Sequence, residues 1–353
     1  MRTTLWILLF LLLFLPVRSQ QRRVRLLFAG DAMQHMPQIN GASDDDGHYR
    51  YDSCFYLLND QISNADIAGL NFETTLGGEP YSGYPLFSTP DAFATALRDA
   101  GFDIFFQANN HALDRGRQGL ERTIDLLDSL GIRHTGTFRD REKRSLYYPL
   151  MVIRNGIRLA FLNYTCNTNG LPVREPNIVN LLDSQLILED LALTRHYKPD
   201  IIIAQLHWGE EYRTYPSLQQ QRMTRLLLKN GVQIIIGHHP HVVQPMEVAK
   251  ENGMIRSVVY YSLGNFISNQ QRELTDGGML AEIVIRKTDD DSPAVIDSCG
   301  YSLVWVEKTA RNRKIGYRLI PWPAGNISPL EVADQQKMDH FVRQATDVIR
   351  NSD

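Results

Sequence analysis

The chain has 353 residues, 43% hydrophobic and 22% charged, and its 37 basic against 40 acidic residues leave a net charge of −3. That is the composition of a globular protein with a core of ordinary size, in one large domain or two small ones. The near balance of charge gives no basic footprint, so no nucleic-acid partner is expected.

Taken in chain order, residues 1–20 do not read as part of the fold. Arg2 supplies a positive start, residues 5–16 are a run of 12 apolar positions, and Val17 and Ser19 place small residues just beyond. This is a secretory signal pattern, too short for a comfortable membrane span. The expected signal peptide is residues 1–19, with cleavage after Ser19. The alternative is an uncleaved leader, which would be the chain's membrane contact. Either way the body is expected to be exported, periplasmic or at the cell surface. Cys54, Cys166 and Cys299 are far apart and odd in number, which excludes a dense disulfide framework and a Cys-rich zinc site. One disulfide with a leftover thiol, or three free thiols, stay open.

The body alternates. Residues 24–29, 65–70, 102–107, 158–162, 201–206, 232–236, 257–262 and 279–285 read as strands, and Gly237 reads as the end of one of them. Residues 53–63, 91–100, 117–130, 183–197 and 218–229 carry helical spacing, with Gly131, Pro199 and Asn230-Gly231 as stops. Alternation of strand and helix predicts an α/β fold over residues 24–290. From about residue 289 the texture changes. A polar turn runs from Asp289 to Pro293, residues 301–306 alternate, and an amphipathic helix is expected over 329–349. Residues 291–353 are therefore expected as an extension packed on the main domain.

Polar residues gather where these strands end. Asp31 follows the first, Glu73 the second, and Asn109-Asn110-His111 the third. His207 follows the run 201–206, and His238, His239 and His241 follow 232–236. Alone, each has an ordinary reading as a cap, a turn or a solvated residue. Open α/β sheets place ligands at strand ends, and imidazole is the commonest metal ligand. Together they point to a shared metal site. Carboxylate, amide and imidazole without thiolate suit Zn²⁺, Mn²⁺ or Fe. Five or six ligands exceed what one tetrahedral zinc uses, so two divalent metal ions sharing a carboxylate are expected.

Six motifs carry a more specific likeness. They are Gly30-Asp31-x-Met33, Asn71-x-Glu73, Asn109-Asn110-His111-x-x-Asp114, His207-Trp208-Gly209-x-Glu211-Tyr212, Gly237-His238-His239-Pro240-His241-Val242-x-Gln244 and Ser262-Leu263-Gly264-Asn265-Phe266. In this order, over about residues 24–270, they resemble the CapA family of capsule-biosynthesis or poly-γ-glutamate-synthesis proteins, within the calcineurin-like metallophosphatase superfamily. The resemblance implies a four-layer sandwich, two mixed β-sheets flanked by helices. It implies that Asp31 and His241 bind one metal, that Asn110, His207 and His239 bind the other, and that Glu73 bridges them where the superfamily usually has Asp. His111 would face the substrate as an acid or charge stabiliser, oriented by Asp114. Met33 stands where many relatives carry a histidine ligand, and thioether suits a hard cation poorly. His35 is then either a substitute ligand or a surface residue near the mouth. Glu211 is a candidate to orient His207. Asn265 lies near the pocket or in a turn, and His238 backs the ligands or packs.

Two functions follow from the resemblance. One is an exported dinuclear-metal hydrolase acting on a phosphoester or a γ-glutamyl amide, whether in an anionic polymer or a small substrate. The other is a non-catalytic, metal-binding accessory for capsule polymer synthesis, binding or export.

Overall fold

The computed structural model describes residues 22–311, 314–324 and 329–350; the leader expected over residues 1–19 lies outside them. The first strand, Arg22–Ala32, stands inside a 14-stranded sheet. Ile67–Phe72 pairs with it in parallel, followed outward by Ile104–Phe106 and Arg133–Thr135. On its other side Gly277–Lys287 runs antiparallel. From there the hydrogen-bonded path passes through Val295–Arg311 to Met254–Tyr260, Ile234–His238, Ile201–His207, Ile157–Thr165 and Leu150–Arg154.

The two ends of this path fold face to face. Phe28 and Phe106 from the first wing meet Phe161 from the second at ring-centroid distances of 6.4 and 6.1 Å. Alternate residues of both wings fill this shared core. The helix Asp91–Asp99 covers the outer face of the first wing, setting Phe93 and Leu97 among Phe72 and Phe105. Ser184–His196 and Leu218–Lys229 cover the second with Ile187, Leu191, Met223 and Leu227. The result is the expected order of helix, sheet, sheet, helix. Hydrogen bonds join the two sheets into one, because the long strand Val295–Arg311 reaches the second wing at a single pair, Ile255 opposite Ile296.

Local chemistry explains most element bounds. Ser217 and Gln220 form a reciprocal cap that starts Leu218–Lys229, and the Asp183 carboxylate caps Ser184–His196. The stretch 53–63 is two short helices, Asp52–Phe55 and Asn59–Ser63, and the turn between them lets Phe55, Leu58 and Ile62 all reach the core. Two strands outrun their apolar stretches. Arg22–Ala32 continues through Gly30 because Asn265–Ile267 pairs beside its end, with Asp31 opposite Asn265. Ile234–His238 runs through Gly237, so that glycine does not end the strand. A Cβ at Gly30 would stand 2.0 Å from the Gly264 carbonyl oxygen, and one at Gly237 would stand 1.9 Å from that of Tyr261. Both glycines serve close backbone approach.

Beyond residue 290, Val295–Arg311 lies along Gly277–Lys287 and Lys314–Trp322 adds to its far side. The helix Val332–Arg350 buries Met338, Phe341, Val342, Ala345 and Ile349 against the shared core. Cys54, Cys166 and Cys299 are all free thiols. No helix among the described residues is long and apolar enough to cross a membrane.

Candidate metal centre

All six candidate ligands come from strand ends of the two wings. Asp31 pairs in register with Asn71, and His207 with His238, so the first wing brings its carboxylates to the edge where the second brings its imidazoles. Glu73 follows Ile67–Phe72 directly, two residues beyond Asn71. Asn110 and His111 lie in the turn between Ile104–Phe106 and the helix Gly116–Ser129. The loop after Ile234–His238 takes an unusual path. His239 and His241 sit at φ +96° and +60°, a region costly for non-glycine residues and found where surrounding contacts over-determine it. Those contacts are present: the His239 N–H donates to Asp31 Oδ2 at 3.2 Å, and the Pro240 carbonyl accepts from the Tyr212 N–H at 2.8 Å.

The side chains converge. Two triads, Asp31–Glu73–His207 and Glu73–His239–His241, each bring their ligand atoms within 4.8 Å of one another, and Glu73 belongs to both. His207 Nε2 lies 3.7 Å from Glu73 Oε1 and 2.9 Å from Asn110 Oδ1. His241 Nε2 lies 3.9 Å from Glu73 Oε1, and its Nδ1 is 3.2 Å from Asp31 Oδ2. The rings of His207 and His239 stand 4.7 Å apart. The triads group the residues differently from the resemblance, which sets His241 with Asp31 and His207 with His239, yet both of those pairs are also neighbours here.

Burial shapes the charge. Burial alone would raise the Asp31 carboxyl, but the His238 and His241 imidazoles beside it hold it well below the usual range. Burial pushes Glu73 well above its ordinary value, and the Asp31 charge adds to that. Burial lowers His207 well below 6.5 and brings His239 down to about 4, with neighbouring imidazoles adding to both. Burial thus favours the neutral form of His207 and His239, the form a metal needs. Glu73 Oε1 and His239 Nδ1 are buried with no hydrogen-bond partner. Buried polar atoms are rarely left so. A divalent cation at the cluster would satisfy both, and the hard oxygen and imidazole donors suit it. These residues could therefore hold divalent metal.

The other named residues fall into place around the cluster. His111 Nδ1 is 2.7 Å from Asp114 Oδ2, both side chains are buried, and His111 is in neither triad. Phe87 packs its ring 4.6 Å from His111, and the Phe87 backbone N–H donates to Asp114 at 2.7 Å. Burial raises Asp114, outweighing the His111 hydrogen bond. His35 lies outside both triads; its Nδ1 faces Gln38 Oε1 at 3.2 Å and accepts from the Asn269 N–H at 3.3 Å. Asn265 Oδ1 is 3.2 Å from His241 Nδ1, which turns Nε2 of that ring toward Glu73. His238 Nε2 meets Gln205 Oε1 at 2.8 Å, and its Nδ1 is 3.5 Å from Asp31. Glu211 is exposed at the mouth, and it is Asn71 that meets His207 Nδ1, at 3.2 Å. The Asn71 amide also donates to Asp31 Oδ1 at 2.7 Å and lies 3.3 Å from Glu73 Oε2. Sequence reasoning gave Asn71 no role, although strand alternation sets it on the same face as Glu73. It also passed over Asn169, whose Oδ1 accepts from Asn110 Nδ2 at 3.2 Å.

The chain is 26% identical over 297 residues to the capsule biosynthesis protein CapA of Bacillus anthracis, covering 80% of this chain and 68% of that one. It is 32% identical over 198 residues to the PGA biosynthesis protein CapA of Bacillus subtilis (strain 168), covering 54% of this chain and only 49% of that one. Among solved structures, the NAD nucleotidase of Haemophilus influenzae superposes with a TM-score of 0.50 at 13% identity, covering 92% of this chain and 63% of that one, which is a likeness of fold. The fold is metallophosphatase-like. Residues 25–270 match the model of the bacterial capsule synthesis protein family PGA_cap, and the chain belongs to that family.

Proposed function

We propose that this protein is a hydrolase that works with two divalent metal ions at the Asp31–Glu73–Asn110–His207–His239–His241 cluster. Its substrate would be a phosphoester or γ-glutamyl amide in capsule or anionic-polymer metabolism. The observation that carries this reading is the His111–Asp114 pair, hydrogen-bonded at 2.7 Å, buried next to the cluster and in neither triad. A site built only to hold metal has no use for an unligated imidazole whose Nδ1 is fixed by a carboxylate. Such a pair serves proton transfer, presenting Nε2 to a leaving group. Metal ions bound there would supply Lewis acidity toward a phosphoryl or acyl oxygen and would acidify a water. The chain's own part is to orient. Asn71 fixes both carboxylates, Asn265 turns His241, and Asn169 aims the Asn110 oxygen. Export fits the leader pattern of residues 1–19 and the capsule names carried by the relatives.

The test is metal analysis of the purified protein with a turnover screen over phosphate monoesters, phosphodiesters and γ-glutamyl peptides, before and after chelation. Turnover that disappears with the metal and returns with it is expected. Bound metal with no turnover of any of these would favour the accessory reading.

A further inference from the structure

Solvent approaches the cluster past His239, which is 8% exposed while the other five candidate ligands are at 2% or less. Tyr212 forms this side of the mouth. Its ring centroid is 6.0 Å from that of His241, and its N–H is fixed to the Pro240 carbonyl between the two loop histidines. The guanidinium of Arg272 lies over that ring, with Cζ 4.1 Å from the centroid. The segment carrying Arg272 is anchored to the same loop. Gln270 Oε1 accepts from Asn265 Nδ2 at 2.9 Å, and Asn265 Oδ1 faces His241. Lys308 Nζ holds the Gln270 carbonyl at 3.0 Å. Arg272 itself is exposed and has no carboxylate partner among the described residues, although Glu211 is exposed on the same side of the site.

A guanidinium stacked on an aromatic ring is held in place with its N–H edge free, and that edge matches two oxygens of a carboxylate or phosphate. Here Cζ stands no more than about 10 Å from the His241 ring centre. A ligating bond, a scissile group and a few single bonds cover that distance.

We propose that Arg272, on its Tyr212 platform, is an oxyanion-binding residue that holds a carboxylate or phosphate of the substrate next to the bond presented to the cluster. The inference rests on the reading above that the cluster and the His111–Asp114 pair act on a substrate. It assigns specificity for an anionic substrate to a residue outside the six ligands and the His111–Asp114 pair.

The experiment is titration calorimetry on the full chain, metal-loaded and chelated, with wild type, Arg272→Ala and Arg272→Lys. The probes are γ-linked tetraglutamate, the same oligomer with its α-carboxylates amidated, and inorganic phosphate. Wild type is expected to favour a charged probe over the amidated one by about 10- to 100-fold, the worth of one charge-assisted hydrogen-bonded pair. Arg272→Ala is expected to lose that preference at unchanged metal content, and Arg272→Lys to keep part of it. Weakened tetraglutamate binding identifies a carboxylate as the anion, and weakened phosphate binding alone identifies a phosphate. Equal affinities in wild type and Arg272→Ala, or a wild type that binds no charged probe, overturn the assignment. The hydrolase reading is judged apart. Binding that depends on Arg272 without any turnover sinks the hydrolase and keeps the subsite, whereas turnover indifferent to Arg272 does the reverse.

Discussion

Replacing His111 with Asn separates chemistry from structure, and its two effects differ in size. The Asn amide nitrogen can occupy the place of Nδ1 and donate to Asp114 Oδ2, which in the native protein accepts from His111 and from the Phe87 N–H, each at 2.7 Å. What the substitution removes is Nε2 and the edge-to-face ring contact with Phe87, at 4.6 Å and 72°. A contact of that kind contributes about 0.5–1.5 kcal/mol. At about 2.1 cal/mol/K of unfolding entropy per residue, that lowers the Tm of a chain of this length by about 1–2 °C. Loss of a general acid costs about 10²–10⁴-fold in rate, or about 3–5 kcal/mol of barrier. Metal content should be unchanged, because His111 is in neither triad. The assays are metal analysis, thermal melting and kcat and KM against pH, where the limb belonging to the acid should vanish. Asp114→Asn should cost less, since it disturbs the ring's orientation and leaves Nε2 in place. Full turnover with metal retained would refute the proton-transfer role, and loss of metal would make His111 a ligand.

Two further expectations concern the cluster. Glu73→Gln should lower metal content at both triads while leaving the chelated protein as stable as wild type or more so at neutral pH, because an under-partnered buried carboxylate is removed; one full equivalent of retained metal would end the bridging assignment. In chelated protein, burial holds His35 and His239 at about 4 and His207 well below 6.5, so the native state binds fewer protons than the unfolded chain between pH 6.5 and about 4. Stability from these groups is full above pH 6.5 and drains away as pH falls through that window, against three opposing carboxyls, Glu73, Asp103 and Asp114, whose values burial raises and which weaken the fold as pH rises past their ordinary range. Urea midpoints should fall from pH 7 to 5, and His35→Gln should flatten the slope by about one proton; a midpoint that rises on acidification would contradict this.

The fold was legible where one period dominates. The stretch 218–229 has helical spacing between Ser217 and Asn230-Gly231, and it is the helix Leu218–Lys229. Run 201–206 is apolar but for Gln205 because the strand Ile201–His207 is buried on both faces, between the shared core and the helices. Strands made by partners and not by composition were not legible. Asn265–Ile267 is a strand because it lies along Asp31–Ala32, and Met246–Glu251 is mostly exposed and held by Met254–Tyr260. The single junction of Ile255 with Ile296 is a long-range pairing that no local pattern encodes.

The candidate site shows the same division, and it explains which of its residues escaped notice. A ligand advertises itself by type and by place, so His239, His241 and Glu73 stand out at strand ends in any reading of the chain. An orienting residue has neither mark. Asn71 lies within a strand, fully buried, where an amide is easily read as an ordinary polar interruption. Its importance is visible only once the wings close and three candidate ligand side chains meet its amide nitrogen. Glu211 makes the converse error instructive. Its place in the His207 motif made it a candidate partner for that ring, but Gly209 turns the chain at φ +92° and Glu211 is exposed to solvent. The ring instead finds its partner on the other wing, 136 positions away in sequence. The chemistry of the candidate site is therefore written locally in its residue types, while its tuning is written in the packing of the two wings.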